Sequence, residues 1–304
     1  MKKRLLLGAL LIASIGFTAT SCSSDSEDTG TNTPITGDPG NGGGNNNGGD
    51  GNGGNTTTMY QHKVLIEDVT GTWCQWCPRV TYAIEKVLEH QTLGNKIVPV
   101  AIHYGDAMQI SAGQTLDSFF DVDGYPFALI DREAKWDSPQ NNNLAQVYNK
   151  INQQGSPIGI KISSNLNTTG GTVTANFKFS QGYENLKYHI FVIENNVVLA
   201  SSPQKNSTTF YGGNGDPQAP STHPEFIHND VLRAVSGTVT GNTLGTVTAG
   251  QELTKENQSV NYTLYNNDLS KVEIVVFVTD NTGKKVLNVQ KAHANETLDY
   301  QILN

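Results

Sequence analysis

The stretch Thr70-Gly71-Thr72-Trp73-Cys74-Gln75-Trp76-Cys77-Pro78-Arg79 sets two cysteines three apart, where a strand pattern gives way to a helix pattern. Before it, residues 62–70 are mostly apolar and β-rich, as a buried strand requires. After it, Val80, Ile84, Val87 and Leu88 recur at helical spacing. Cysteines this close in a first helical turn can bridge. Cys74 is expected at the helix N-terminus, where the dipole and free N–H groups favour thiolate, and Cys77 one turn inside and more shielded. Pro78 fits a first turn because its missing N–H would have no partner there.

The following segments alternate. Residues 95–105 read as a second buried strand and 113–121 as a short helix. Residues 125–131 and 133–137 read as two strands joined by a turn around Asp131 and Arg132. Residues 138–155 read as a closing helix, with Ser138 as cap, Pro139 in the first turn and Gly155 at the end. Pro126 cannot be an ordinary member of a central ladder and suits a tight, cis entry into its strand. Beyond Gly155 the pattern becomes short alternating segments separated by turn residues, which is an all-β sandwich pattern. A Gly-, Pro-, Asn- and Ser-rich stretch at 200–228 interrupts it, longer than a plain connector needs.

The ends account for the third cysteine. Lys2, Lys3 and Arg4 precede an apolar run from Leu5 to Phe17, then Ala19-Thr20-Ser21 and Cys22. The run is short for a membrane span and right for a signal-peptide core. Residues 1–21 are therefore expected to be a lipoprotein signal, with the lipid on Cys22. Residues 22–58 hold eleven glycines and seven asparagines, with one isoleucine and no aromatic. That composition predicts a disordered tether spanning roughly 30–35 Å. The whole chain carries −8, and without its first 21 residues, which hold three basic and no acidic side chains, −11. So acidic a chain is a poor partner for nucleic acid or anionic lipid, which leaves the lipid on Cys22 as the expected membrane contact.

Trp73-Cys74-x-x-Cys77 before a helix, with Gly124-Tyr125-Pro126 before a hairpin, resembles the thioredoxin fold. That resemblance implies Cys74 as nucleophile, Cys77 as resolving thiol and a cis Pro126 packed against them. It implies Tyr125 as the residue whose backbone meets a substrate peptide, and Asp68, six positions before Cys74, as the acid that takes the proton from Cys77. Glu67, on the opposite face of the strand, is the fallback. The Gln75-Trp76 dipeptide and Pro78 depart from the family's usual residues and leave the redox direction open. Taken whole, the chain resembles the outer membrane protein 28-related lipoproteins: signal, tether, the string around Cys74 and Cys77, and His228-Asn229-Asp230-Val231-Leu232-Arg233-Ala234-Val235.

The expected layout is thus signal 1–21, tether 22–58, a thioredoxin-like α/β domain at 59–154 and an all-β immunoglobulin-like sandwich at 155–304. The expected role is thiol–disulfide exchange on exported proteins at the outer membrane, on its periplasmic or cell-surface face, with no cofactor and no metal. Catalytic residues are Cys74, Cys77, Asp68 and Pro126; Trp73, Trp76 and Tyr125 would contact substrate, with Trp76 the more exposed tryptophan. The alternative is a surface adhesin or receptor lipoprotein, its ligand on the sandwich and its disulfide structural. A zinc site lacks a second cysteine pair. His103 is expected to be structural, and His223, His228 and Asp230 to serve turns or packing.

Overall fold

The computed structural model describes residues 57–139 and 143–303; the signal, Cys22 and nearly all of the tether lie outside them. The order begins β1 (Val64–Thr70), α1 (Pro78–Leu88), β2 (Ile97–His103), α2 (Ser111–Phe119), β3 (Phe127–Ile130), β4 (Ala134–Lys135) and α3 (Ala145–Tyr148). It continues β5 (Ile158–Asn167), β6 (Gly170–Phe179), β7 (Tyr183–Glu194), β8 (Gln204–Asn206), β9 (Ser221–His223) and β10 (Val231–Val235). It closes with β11 (Asn242–Val247), β12 (Glu252–Asn261), β13 (Val272–Thr279) and β14 (Val286–His293).

One mixed sheet runs β14-β13-β7-β10-β2-β1-β3-β4, with β11 also paired to β7. β1 is parallel to β2 and antiparallel to β3. β10 joins β2 in parallel through one register pair, Val231 with Ala101. A second sheet, β12-β6-β5, and the small β8-β9 ladder complete the strands.

Strand alternation explains how the sheet is covered. Val64 and Ile66 of β1 pack with Val80, Ala83, Ile84 and Val87, the buried stripe of α1. Leu65 and Val69 point the other way and pack with Phe191, Ile193, Leu232, Val275 and Phe277. That second core draws on sequence from both sides of residue 155, so the change of texture there is not a break in packing. A third core lies between β5 and β6 and the inner face of β7 and β13, with Phe177, Phe179, Ile190 and Val276 in it.

An ion pair is buried beside the shared core. The turn between β3 and β4 carries Asp131 and Arg132 at φ 51° and 59°, which turns the Arg132 side chain back over the sheet. Its Nε and Nη2 each donate to Glu67 at 2.7 Å, Nη1 donates to the Gly283 carbonyl at 3.0 Å, and its guanidinium lies 4.8 Å from the Phe277 ring. Both side chains are inaccessible to solvent.

The helix expected over 138–155 is not formed as such. Ser138 lies at φ 46°, which a helix cap does not use. The Asn143 side chain donates to the Asp137 carbonyl at 2.6 Å and the Gln146 side chain to the Lys135 carbonyl at 2.8 Å. These local bonds compete with helix formation, and among the described residues of this stretch the α-helical part is Ala145–Tyr148.

Candidate redox site

Cys74 and Cys77 form a disulfide with their Cα atoms 5.4 Å apart. It sits at the C-terminal end of β1, as the sequence implies, but α1 starts one turn later than expected. Cys77 is its N-cap residue and Pro78 its first residue. Cys74 instead lies in a turn, its N–H donating to the Gly71 carbonyl at 2.9 Å. Proline explains the shift: without an N–H it suits the opening position, which places the cysteines ahead of the helix. Cys77 is the more buried of the two, at 1 % exposed, but Cys74 is only 5 % exposed.

The stretch around β8 accounts for that burial. Lys205 N–H donates to the Thr72 carbonyl and Ser207 N–H to the Gln75 carbonyl, both at 2.8 Å. Gln204 Nε2 donates to the Cys74 carbonyl at 3.0 Å, and Phe210 stacks on Tyr82 of α1 at 4.0 Å. The irregular segment at 200–228 is therefore a strap fastened to the cysteine loop. Replacing Ser207 with proline removes the bond to Gln75. We expect this to raise the alkylation rate of reduced Cys74 by about tenfold, the worth of one or two buried hydrogen bonds. Mass spectrometry of iodoacetamide-treated protein reads the rate, and an unchanged value would mean the strap does not limit access.

The Tyr125–Pro126 bond is cis and leads directly into β3. Trp73 is 41 % exposed and meets Tyr125 edge-on at 4.9 Å, its Nε1 donating to the Tyr104 carbonyl. Tyr104 stacks with Tyr125 at 6.2 Å, and Tyr125 donates from its hydroxyl to Asp117. The two tryptophans are the reverse of the expectation. Trp76 is only partly exposed, with the Arg79 guanidinium 4.6 Å from its ring, and Trp73 is the exposed one. Trp73 lies in the turn before the helix, whereas Arg79 covers Trp76 from the first turn of α1.

Asp68 shares the α1-facing side of β1 with Val64 and Ile66 and is 2 % exposed. Burial pushes its carboxyl up to about 8, and its Oδ1 has no hydrogen-bond partner. Glu67, on the other face, is held by Arg132 and has no free oxygen to offer a thiol. His103 Nδ1 bonds Asp106 at 2.7 Å, and Asp106 also accepts from the Thr72 and Met108 N–H groups at 2.8 Å. The pair anchors the loop in front of Cys74. The His103 and His228 rings meet edge to face at 5.1 Å. Asp230 accepts from Lys291 at 3.5 Å, and His223 bonds Ser221 at 2.9 Å. Among the described residues no three His, Cys, Asp or Glu side chains are placed to share a metal ion.

Beneath α1 lies a cavity of about 260 Å³ that Asp68 and His103 line together with Gln204 of the strap. Sequence reasoning missed it, because its walls come from strands far apart in the chain. The one available signal was a charged pattern, Asp230 directly before β10 and Glu273 and Lys291 within β13 and β14.

The family described as outer membrane protein Omp28 matches residues 113–298, more than half of the chain. The chain belongs to the Omp28 family. The matched stretch includes Tyr125 and Pro126 and begins after the cysteine pair, so membership rests on the later part of the chain. Among solved structures, HBP35 of Porphyromonas gingivalis is similar with a TM-score of 0.56 at 16 % identity, over 78 % of this chain and 76 % of that one. A second, from Agrobacterium tumefaciens, has a TM-score of 0.43 at 13 % identity, over 78 % and 97 %. No curated protein matches the sequence. No helix among the described residues is long and apolar enough to cross a membrane.

Proposed function

We propose that this Omp28-family protein is a thiol–disulfide exchange protein, held at the outer membrane by a lipid on Cys22. In this reading residues 59–154 are a thioredoxin-like module and residues 155–304 an immunoglobulin-like sandwich. The observation that carries the proposal is the Cys74–Cys77 disulfide at a strand–helix junction, with a cis Tyr125–Pro126 bond and an unpartnered buried acid, Asp68, six residues before Cys74 on β1.

The chemistry needs no cofactor. A substrate thiolate attacks Cys74 Sγ, the Cys74–Cys77 bond breaks, and Cys77 leaves as a thiolate. Asp68, protonated near neutral pH, gives Cys77 its proton. A second substrate thiolate attacks the mixed disulfide and releases Cys74 as thiolate. Two substrate thiols become a disulfide and the enzyme pair is reduced; the reverse sequence uses Asp68 as the acceptor. Exposed Trp73, edge-on to the half-buried Tyr125, forms the aromatic side on which a substrate peptide would lie, and Trp76, under Arg79, is a further candidate contact.

The test is trapping. Cys77→Ser leaves Cys74 free and is expected to hold exported proteins as mixed disulfides on non-reducing gels, while Cys74→Ser holds none. Absence of adducts, together with wild-type protein inert in insulin reduction and ribonuclease refolding, would remove the proposal. The burial of both sulfurs beneath the strap favours a second reading: a surface adhesin or receptor lipoprotein whose disulfide is a strut. A Cys74–Cys77 potential below about −300 mV supports the strut, and one between thioredoxin and DsbA values supports exchange.

A further inference from the structure

The strap is closed at its neck. Val197 N–H donates to the His228 carbonyl at 2.9 Å, and His228 N–H returns a bond to the Val197 carbonyl at 2.8 Å. Beyond the neck the strap holds itself together. β8 pairs with β9, and Asn206 Oδ1 accepts from the Thr208 N–H and hydroxyl at 2.9 and 2.7 Å. Asn206 Nδ2 donates to the Phe210 carbonyl at 2.8 Å, and Ser207 Oγ to the Asp216 carbonyl at 2.9 Å. Its grip on the rest of the fold is of another kind. Between residues 200 and 225 the buried side chains are Gln204, Asn206, Ser207 and Thr208, all of them polar. The strap meets the cysteine loop through hydrogen bonds to three carbonyls, those of Thr72, Cys74 and Gln75. The Ser202 hydroxyl on Thr72, Ser207 Oγ on Gln75 Oε1 and the Phe210–Tyr82 stack complete the contact. A segment with its own internal bonds and few buried apolar contacts opens locally, at a free energy below that of global unfolding.

We propose that the strap is an autoinhibitory gate: its Gln204–Ser207 strand holds the place of an extended substrate peptide on the cysteine loop, and the strap swings out about its neck to admit one. The proposal rests on the exchange reading for what the opening serves. Attack on Cys74 needs a thiolate beside its sulfur, and in the closed form the residue is 5 % exposed. Opening frees the carbonyls of residues 72, 74 and 75, which bracket that sulfur.

The strap also shows what the loop accepts. Two of its three bonds to those carbonyls come from main-chain N–H groups two residues apart, Lys205 and Ser207. Any extended polypeptide repeats that spacing, because alternate residues of a strand face the same way. The substrate class that follows is a segment in extended form with its N–H groups unspent, such as a chain not yet folded. A cysteine inside a helix has its neighbouring N–H groups committed and would not fit. The hydrogen bonds lost by the strap on opening are remade with such a segment, and the strap keeps its internal ones.

The experiment compares the oxidised full-length protein with Phe210→Ala, which removes the stack on Tyr82 and touches neither sulfur. Hydrogen exchange read by NMR should show the Lys205 and Ser207 amides opening faster in the variant by about tenfold, with Val192 in β7 unchanged. Reduction by dithiothreitol, which closes to its cyclic disulfide as Cys74 and Cys77 take up two electrons and two protons, should speed up by the same factor. A short extended peptide dithiol should reduce either protein about tenfold faster than its analogue N-methylated at every residue except the cysteines, since only the parent remakes the two backbone bonds. Lys205 and Ser207 exchanging only in step with Val192 would overturn the gate. So would faster amide exchange with an unchanged reduction rate. Equal rates for the peptide and its N-methylated analogue would overturn the peptide edge. Dithiothreitol reduces a strut as it does a catalytic pair, so these results stand apart from whether exported proteins are trapped on Cys74.

Discussion

Asp68→Asn is expected to make the protein more stable at pH 9 by about 5 kcal/mol and to change nothing at pH 4. The sign follows from linkage. Burial holds the Asp68 carboxyl at about 8 in the folded chain, against about 3.9 when unfolded. Between those values the folded state keeps a proton that the unfolded state has lost. Stability therefore falls as pH rises through this window, by about 1.4 kcal/mol per unit, and levels off above pH 8. Asparagine keeps the shape and does not titrate. Asp131, raised to about 7, and Asp230, raised to about 6, both by burial, titrate in either protein, so the variant still loses some stability. Urea unfolding of both proteins at pH 4, 7 and 9 checks this, and parallel pH curves would contradict the raised carboxyl. Under the proposed exchange chemistry the same substitution should slow exchange, because asparagine cannot move a proton to or from Cys77. A stable, slow variant is what a group kept for chemistry predicts.

The second large effect lies at Arg132. Arg132→Met leaves the Glu67 carboxylate buried with no cation, at an expected cost of about 3–5 kcal/mol. At about 2–4 °C per kcal/mol for a fold of this size, Tm should fall by about 10 °C or more. Adding Glu67→Gln should recover most of the loss, since the cost is one stranded charge rather than the absence of the pair. Calorimetry of the single and double variants gives the coupling directly. Equal melting temperatures for the two would show that Arg132 stabilises through its contacts with Phe277 and Gly283 instead.

The part of the site that follows from local rules was legible in the sequence. Strand β1, the cysteine pair, α1 and the cis Pro126 entry sit within a residue or a turn of their expected places. Each has a local cause: an apolar run, a proline at a helix start, a proline before a strand. Asp68 was reached through the thioredoxin resemblance, as the acid six positions before Cys74, and alternation along β1 put Glu67 on the far face, where Arg132 holds it. The strap was not legible as such. Residues 200–228 look like a loop because their bonds are made to backbone carbonyls at 72–75, and such partners leave no periodic trace. β10 was hidden by its five-residue length and by Arg233, which breaks the apolar run. The closing helix failed because Asn143 and Gln146 find backbone partners nearby. The exposures of Trp73 and Trp76 came out reversed because they depend on where α1 begins, and that start moved by one turn.

The strap also implies an order of assembly. Cys74 and Cys77 are separated by two residues and can meet as soon as the end of β1 and the start of α1 have formed. Lys205 and Ser207, which shut them in, arrive more than a hundred residues later along the chain. Part of the cover over Leu65, Val98 and Ile102 arrives later still, Leu232 with β10 and Val275 and Phe277 with β13. A chain that emerges N-terminus first thus offers its thiols to an oxidant while the strap is still missing. Their accessibility is greatest in the nascent protein and falls as synthesis proceeds. Pulse-labelled chains halted before residue 200 should react with a thiol reagent in seconds, and full-length reduced chains more slowly.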